Sequence, residues 1–166
     1  MATSESDSQT EYVDRKRLQD FEHWSSGARF QKTVHQGIYV CDDPHRERWM
    51  GYLCQGLYEP GGVYSVWKAN AHWKIKPDGG HGEIIVVSGQ PRIGSGPMLQ
   101  LGSINKITDK DIISPPMCCV VVEKTKRTRQ HKPTDGDQNE SASEGQTNRP
   151  ENHKVNQPVK AKQTEG

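Results

Sequence analysis

The 43 residues from Lys124 to Gly166 lack the side chains that build a hydrophobic core. They contain no aromatic residue and no Leu, Ile, Met or Cys, and Val155 and Val159 are their only sizeable apolar side chains. Such a segment cannot bury enough apolar surface to offset the entropy that it loses on ordering. We therefore predict a disordered tail over 124–166, and a disordered acidic N-terminus over 1–10.

The chain also lacks an apolar run near the roughly 18 residues that a transmembrane helix needs. Its start has no charged stretch followed by an apolar one, as a secretory leader would have. Four cysteines (Cys41, Cys54, Cys118 and Cys119) are too irregularly spaced for a secreted disulfide framework. These absences favour a cytoplasmic or nuclear protein without membrane contact.

The remaining segment, 11–123, is long enough for one hydrophobic core but not for two. All eleven aromatic residues lie in it, between Tyr12 and Trp73. The order of helical and strand patterns predicts a single α+β domain with two short helices. Short connections favour a mostly antiparallel sheet of four to five strands.

Two apolar stripes at helical spacing predict the helices. The first helix is expected to start near Glu11, after a capping box formed with Ser8, and its buried face comprises Leu18, Phe21 and Trp24. The second is expected to start at Asp43-Pro44, and its stripe comprises Trp49, Met50, Leu53, Cys54 and Leu57. Gly51 and Gly56 each cost about 1 kcal/mol of helix stability, so a strand remains the alternative there.

Strand patterns occupy five segments: 30–40, 63–76, 83–88, 98–107 and 117–123. The first shows strict alternation, and the second is expected to be interrupted near Asn70. The turn residues Pro77-Asp-Gly-Gly80 predict that the segment 83–88 returns beside the segment 63–76.

The strongest functional signal is a basic cluster that starts the tail. It comprises Lys124, Lys126, Arg127, Arg129 and Lys132, with no acidic residue among them. Dense cations attract phosphates through counterion release, without the need for a folded groove. Nuclear-import signals have the same composition, and the sequence does not separate the two roles.

A second set of basic residues lies near aromatic residues of the domain. Lys68, Lys74, Lys76 and Arg92 flank Tyr64, Trp67 and Trp73. Proteins that bind single-stranded nucleic acid combine stacking aromatic rings with cations. Because Trp67 and Trp73 share the parity of the predicted core face, a buried position is favoured over stacking.

Two further sets of residues have the composition of a chemical site. Cys41, His45 and Cys54 are weak candidates for a zinc-stabilised adaptor, but no Cys-x2-Cys pair anchors them. Ser95, between Gly94 and Gly96, is a candidate nucleophile of a small hydrolase or protease, with His72 or His81 as base and Asp78 or Asp109 to orient it. A cysteine nucleophile, Cys54 or Cys118, is the other form of that alternative. The Gly-x-Ser-x-Gly spacing of a nucleophile elbow is absent. We expect no metal, no cofactor and no catalytic residue.

Three hydroxyl residues precede an acidic residue by three positions, as acid-directed kinases require: Ser8, Thr134 and Ser141. A phosphate on Thr134 would reduce the positive charge beside the basic cluster.

The sequence thus favours a non-enzymatic regulatory or accessory interaction protein. The folded domain is expected to bind a protein partner, and the basic tail to bind RNA or DNA or to direct nuclear import. Polar tails around a short folded core are typical of viral and nuclear accessory proteins.

Overall fold

Nine strands and two helices make up the fold in a computed structural model that describes residues 9–128. The strands are β1 (Glu11–Tyr12), β2 (Phe30–Lys32), β3 (Ile38–Cys41), β4 (Val63–Ala69), β5 (Trp73–Lys74), β6 (His81–Gly89), β7 (Ser103–Thr108), β8 (Ile112–Ile113) and β9 (Met117–Glu123). The helices are α1 (Arg15–Gly27) and α2 (Arg46–Leu53). The predicted α+β class is confirmed.

Seven strands form one sheet in the order β1-β7-β6-β9-β4-β3-β2, and every neighbouring pair is antiparallel. The strands β5 and β8 form a separate two-stranded sheet. The prediction of four to five strands was therefore too low. Strands of two residues are too short to show an alternating pattern, so β1 and β8 gave no signal in the sequence, and two of the predicted segments, 30–40 and 63–76, each contain two strands.

The central strands of the large sheet are buried on both faces. In β9 every residue from Met117 to Val122 is buried, and in β6 the same holds for Ile84 to Val87. This explains why these two strands read as continuous apolar runs, whereas a half-buried strand alternates. The bounds predicted for β9, 117–123, are confirmed.

Each face of the large sheet has its own apolar core. The helices cover one face, where Phe21, Trp24 and Leu53 pack against Val66 and Val120. The small sheet covers the other face, where Trp73, Ile75 and Ile113 pack against Ile84 and Val121. The second face is the one that carries the site described below.

The first helix was predicted to start too early. Glu11 lies in β1, and α1 begins at Arg15 after the N-cap Asp14, whose carboxylate accepts a 2.9 Å hydrogen bond from Arg17 N. Its predicted buried face is confirmed, because Leu18, Phe21 and Trp24 are all buried. The polar residues Asp14 and Arg17 thus fix the start of the helix.

The second helix also starts later than predicted. The carboxylate of Asp43 accepts hydrogen bonds from the backbone N–H groups of Arg29 and His45, so it stabilises the turn before the helix. The helix begins at Arg46 and ends at Leu53, before Gly56. The helix interpretation is confirmed and the strand alternative is wrong.

The predicted strand over 30–40 is in fact a hairpin of β2 and β3. Thr33 N donates to Ile38 O at 3.0 Å, which closes the turn between them. Gly37 has a φ of +79°, a conformation that favours glycine. Val34, which has the apolar parity of a strand, lies at the turn and is 95% exposed.

The predicted break near Asn70 is confirmed, since β4 ends at Ala69 and β5 starts at Trp73. The segment 83–88 was predicted to pair with the segment 63–76 after the turn at Pro77, and this pairing is wrong. The strand β6 pairs with β7 and β9, and β4 pairs with β3 and β9, so β9 lies between β4 and β6.

No helix among residues 9–128 is long and apolar enough to cross a bilayer.

Candidate nucleic-acid interface

A groove of about 720 Å³ opens on the sheet face opposite the helices. One wall is the β2–β3 turn, residues 33–36, and the other is the segment 72–76, which includes β5. Trp67 of β4 and Val121 of β9 line its base. We call this site the tryptophan groove.

Two indole rings form the aromatic part of the tryptophan groove. The ring centroids of Trp67 and Trp73 lie 4.6 Å apart, with an angle of 40° between the ring planes. Trp73 is buried, but Trp67 is only partly buried, and its Nε1 donates a 2.7 Å hydrogen bond to Ser65 Oγ. The sequence interpretation that both tryptophans are core residues is therefore correct for Trp73 and incomplete for Trp67.

The rim of the tryptophan groove carries more basic than acidic groups. His35, His72, Lys74 and Lys76 line it and are exposed. Among residues 9–128, Glu123 is the one acidic residue in the lining, and its carboxylate accepts a 2.6 Å hydrogen bond from Asp78 N. An apolar aromatic base with a cationic rim suits a ligand that combines flat rings with negative charge.

The structure divides the basic and aromatic residues that the sequence grouped together. Lys68 lies on the helix-covered face, where its Nζ donates to Ser25 O at 2.9 Å and lies 4.0 Å from the centre of the Phe30 ring. Tyr64 packs against the core of that same face. Arg92 lies in the loop after β6, where its backbone N–H donates to Ser114 Oγ. Only Trp67, Trp73, Lys74 and Lys76 come together.

The first residues of the basic cluster pair with the segment that follows α2. Glu59 N donates to Lys126 O, and Thr128 N donates to Leu57 O, each at 2.9 Å. The hydroxyl of Thr125 donates to Glu59 O at 3.0 Å. We call this paired unit, residues 57–59 with 125–128, the clasp.

Arg127 is the centre of the clasp. Its guanidinium forms ion pairs with Glu11 and with Glu83, the latter at 3.6 Å, and lies 5.1 Å from the centre of the Tyr58 ring. The Tyr58 hydroxyl donates a 2.7 Å hydrogen bond to Glu83. Burial lowers the pKa of Arg127, and burial together with this hydrogen bond raises the pKa of Tyr58.

Lys124 is also paired, through an ion pair with Asp78 that lowers the pKa of Asp78 and raises the pKa of Lys124. Lys126 is exposed and forms no ion pair with any residue in 9–128. Arg129 and Lys132 lie outside the described residues. The nucleic-acid or targeting role of the cluster stays a prediction.

The weak zinc candidates are spread over the helix-covered side. His45 precedes α2 and Cys54 follows it, nine residues later, which corresponds to about 13.5 Å along a helix axis. Burial raises the pKa of Cys54 to about 12 and that of Cys118 to about 11, and it also raises those of Cys41 and Cys119. No group of three potential metal ligands lies together within 9–128. These thiols are small apolar core groups with little thiolate character.

Ser95 is exposed in the loop after β6, and no hydrogen bond in the described part of the chain joins it to a histidine. His72 lines the tryptophan groove, whereas His81 is the first residue of β6. The structure therefore assembles no nucleophile and base around Ser95 among these residues. The phosphorylation candidates Ser8, Thr134 and Ser141 lie outside the described residues.

Sequence reasoning missed the clasp and the contribution of residues 33–36. The clasp joins segments almost 70 residues apart without an apolar pattern, and Gly37 is the turn residue that could have indicated the hairpin. Comparison with protein-family models, with curated proteins and with solved structures finds no match to this chain.

Proposed function

We propose that this chain is a non-enzymatic accessory protein that binds single-stranded RNA or DNA through the tryptophan groove. A base would stack on the exposed part of Trp67, and the phosphates on either side would lie near Lys74 and Lys76. The observation that carries the proposal is the partly exposed indole of Trp67 at the base of a groove with a cationic rim.

The chemistry of the groove favours a nucleic acid over a protein partner. Stacking between a base and an aromatic side chain contributes about 1–3 kcal/mol and tolerates any base sequence. Phosphates add a salt-sensitive attraction to lysines. A protein partner would also suit the exposed side chain of Val34, but it would not need the lysines of the rim.

The basic tail would add affinity in proportion to its unpaired cations. Lys124 is already paired with Asp78, and Arg127 is already paired with Glu11 and Glu83. We therefore infer that Lys126, with Arg129 and Lys132, supplies most of the tail's electrostatic contribution. The same residues would serve nuclear import if the protein enters the nucleus.

The groove and the clasp adjoin along the chain. Lys76 and Glu123 line the groove, while Asp78 and Lys124, within two residues of them, line a second cleft of about 830 Å³ beside the clasp. A bound strand that leaves the groove past Lys76 would thus come near the basic tail. This proximity supports a single binding surface for both elements.

The test is the affinity of full-length protein for fluorescent oligouridine and oligodeoxythymidine, measured by anisotropy. Replacing Trp67→Ala should weaken binding by about 5- to 150-fold, the equivalent of losing one stacked base. Trp67→Phe is the matched variant, because it keeps a ring and should retain most of the affinity. Ser65→Ala separates loss of the Ser65 hydrogen bond from loss of the ring.

Equal affinities of the wild type and Trp67→Ala for the oligonucleotides, with both proteins folded by circular dichroism, would contradict the proposal. Failure of the wild type to bind either oligonucleotide at low salt would contradict it as well.

A further inference from the structure

A carboxylate that precedes α1 in the chain contacts a cation of the basic cluster. Glu11, in β1, forms an ion pair with Arg127, the central cation of the cluster that was expected to bind polyanions. The contact joins residues 116 positions apart, and the short strand β1 fixes Glu11 by pairing it with Ile104 of β7.

The two carboxylates that hold Arg127 are not equivalent. The side chain of Glu83 is 19% exposed and also accepts the hydrogen bond from Tyr58. The side chain of Glu11 is 61% exposed, and no other described side chain bonds it. An incoming anion would therefore displace Glu11 and leave the Glu83–Arg127 pair in place.

We propose that Glu11 is an intramolecular competitor that lowers the affinity of the basic cluster for polyanions. Arg127 stays in the clasp through Glu83 and Tyr58, and its outer side alternates between Glu11 and a phosphate or sulfate group. The acidic residues Glu5 and Asp7, close in sequence to Glu11, add negative charge to the same part of the chain. This inference extends the proposed function, but the competition itself requires only that the cluster binds polyanions.

The test uses full-length protein and a heparin oligosaccharide, a sulfated polyanion without bases that does not need the tryptophan groove. Replacing Glu11→Gln should raise heparin affinity by about two- to fivefold, the range that an exposed ion pair contributes. Glu47→Gln is the matched control, because it removes one exposed negative charge at the start of α2. At 0.15 M salt, where screening acts over about 8 Å, the control should change affinity by less than about 1.5-fold.

A double-mutant cycle then assigns the effect to Arg127. In an Arg127→Gln background, Glu11→Gln should no longer change heparin affinity, because its partner is gone. Equal gains from Glu11→Gln and Glu47→Gln, or an undiminished gain in the Arg127→Gln background, would overturn the proposal. Absence of heparin binding by the wild type and by Glu11→Gln would overturn it too, since Glu11 would then have nothing to compete with.

The oligouridine measurement keeps the two proposals apart. If the protein binds no oligouridine but heparin affinity still responds to Glu11 through Arg127, the proposed function fails and the competition remains. If Trp67→Ala weakens oligouridine binding while Glu11→Gln leaves heparin affinity unchanged, the proposed function stands and the proposed competition by Glu11 is contradicted.

Discussion

The tryptophan groove and the clasp are both rich in basic residues, but they differ in what those residues contact. In the groove, Lys74 and Lys76 face solvent, and the single lining carboxylate, Glu123, is bonded to a backbone N–H. In the clasp, Arg127 contacts two carboxylates and a tyrosine ring. The denser run of charge in the sequence therefore contains the less available cation.

Charge density along a chain therefore does not measure how many charged groups are free to contact a partner. An arginine between two carboxylates adds little to long-range attraction, whereas it adds to the stability of the segment that it holds. The exposed lysines of the groove add to long-range attraction and little to the stability of the segment that carries them. The clasp should consequently respond to mutation mainly in stability, and the groove mainly in binding.

The largest expected effect on stability comes from removing the centre of the clasp. Arg127→Ala removes the cation that pairs with the largely buried carboxylate of Glu83 and lies over the Tyr58 ring, and we expect the free energy of unfolding to fall by about 1–3 kcal/mol. Urea unfolding followed by tryptophan fluorescence would measure it. A loss below about 0.3 kcal/mol would mean that the clasp does not stabilise the fold.

A smaller effect is expected at Gly62, which the clasp approaches closely. A Cβ at this position would lie 2.6 Å from Thr125 Cβ, so Gly62→Ala must displace Thr125 and should cost about 1–2 kcal/mol. Gly51→Ala is the matched control, because a Cβ there meets no atom within 4 Å and alanine favours the helix by about 0.5–1 kcal/mol. Opposite signs of the two changes in unfolding free energy would support the packing of Thr125 on Gly62, and equal signs would refute it.

The smallest effect on stability is expected at Lys68, which lies on the face opposite the lysines of the groove. Lys68→Met removes a cation from the Phe30 ring and should lower the free energy of unfolding by about 0.5–1 kcal/mol. Oligouridine affinity should stay the same, because Lys68 lies on the helix-covered face. A loss of affinity comparable to that of Lys74→Ala would indicate that the nucleic acid binds the helix-covered face and would contradict binding in the tryptophan groove.

The sequence predicted elements whose pattern is local and long. The stripe Leu18, Phe21 and Trp24 identified α1, and the apolar run 117–123 identified β9. It failed where two segments keep one parity across a turn, as in the hairpin 30–41, and at the isolated two-residue strands β1 and β8. The sequence predicted the residues of the tryptophan groove only in part. Tryptophans and lysines were recognised as neighbours, but alternation along β4 sends Lys68 and Trp67 to opposite faces.

A salt titration of oligouridine binding compares the cations of the groove with those of the clasp in one experiment. For single strands, log affinity falls with log salt with a slope of about 0.7 per neutralised phosphate. We predict that Lys74→Ala/Lys76→Ala makes the slope shallower by about 1.4, while Lys124→Ala/Arg127→Ala changes it by less than about 0.5. A larger change from the Lys124/Arg127 pair than from the Lys74/Lys76 pair would show that the paired cations, and not the groove, hold the nucleic acid.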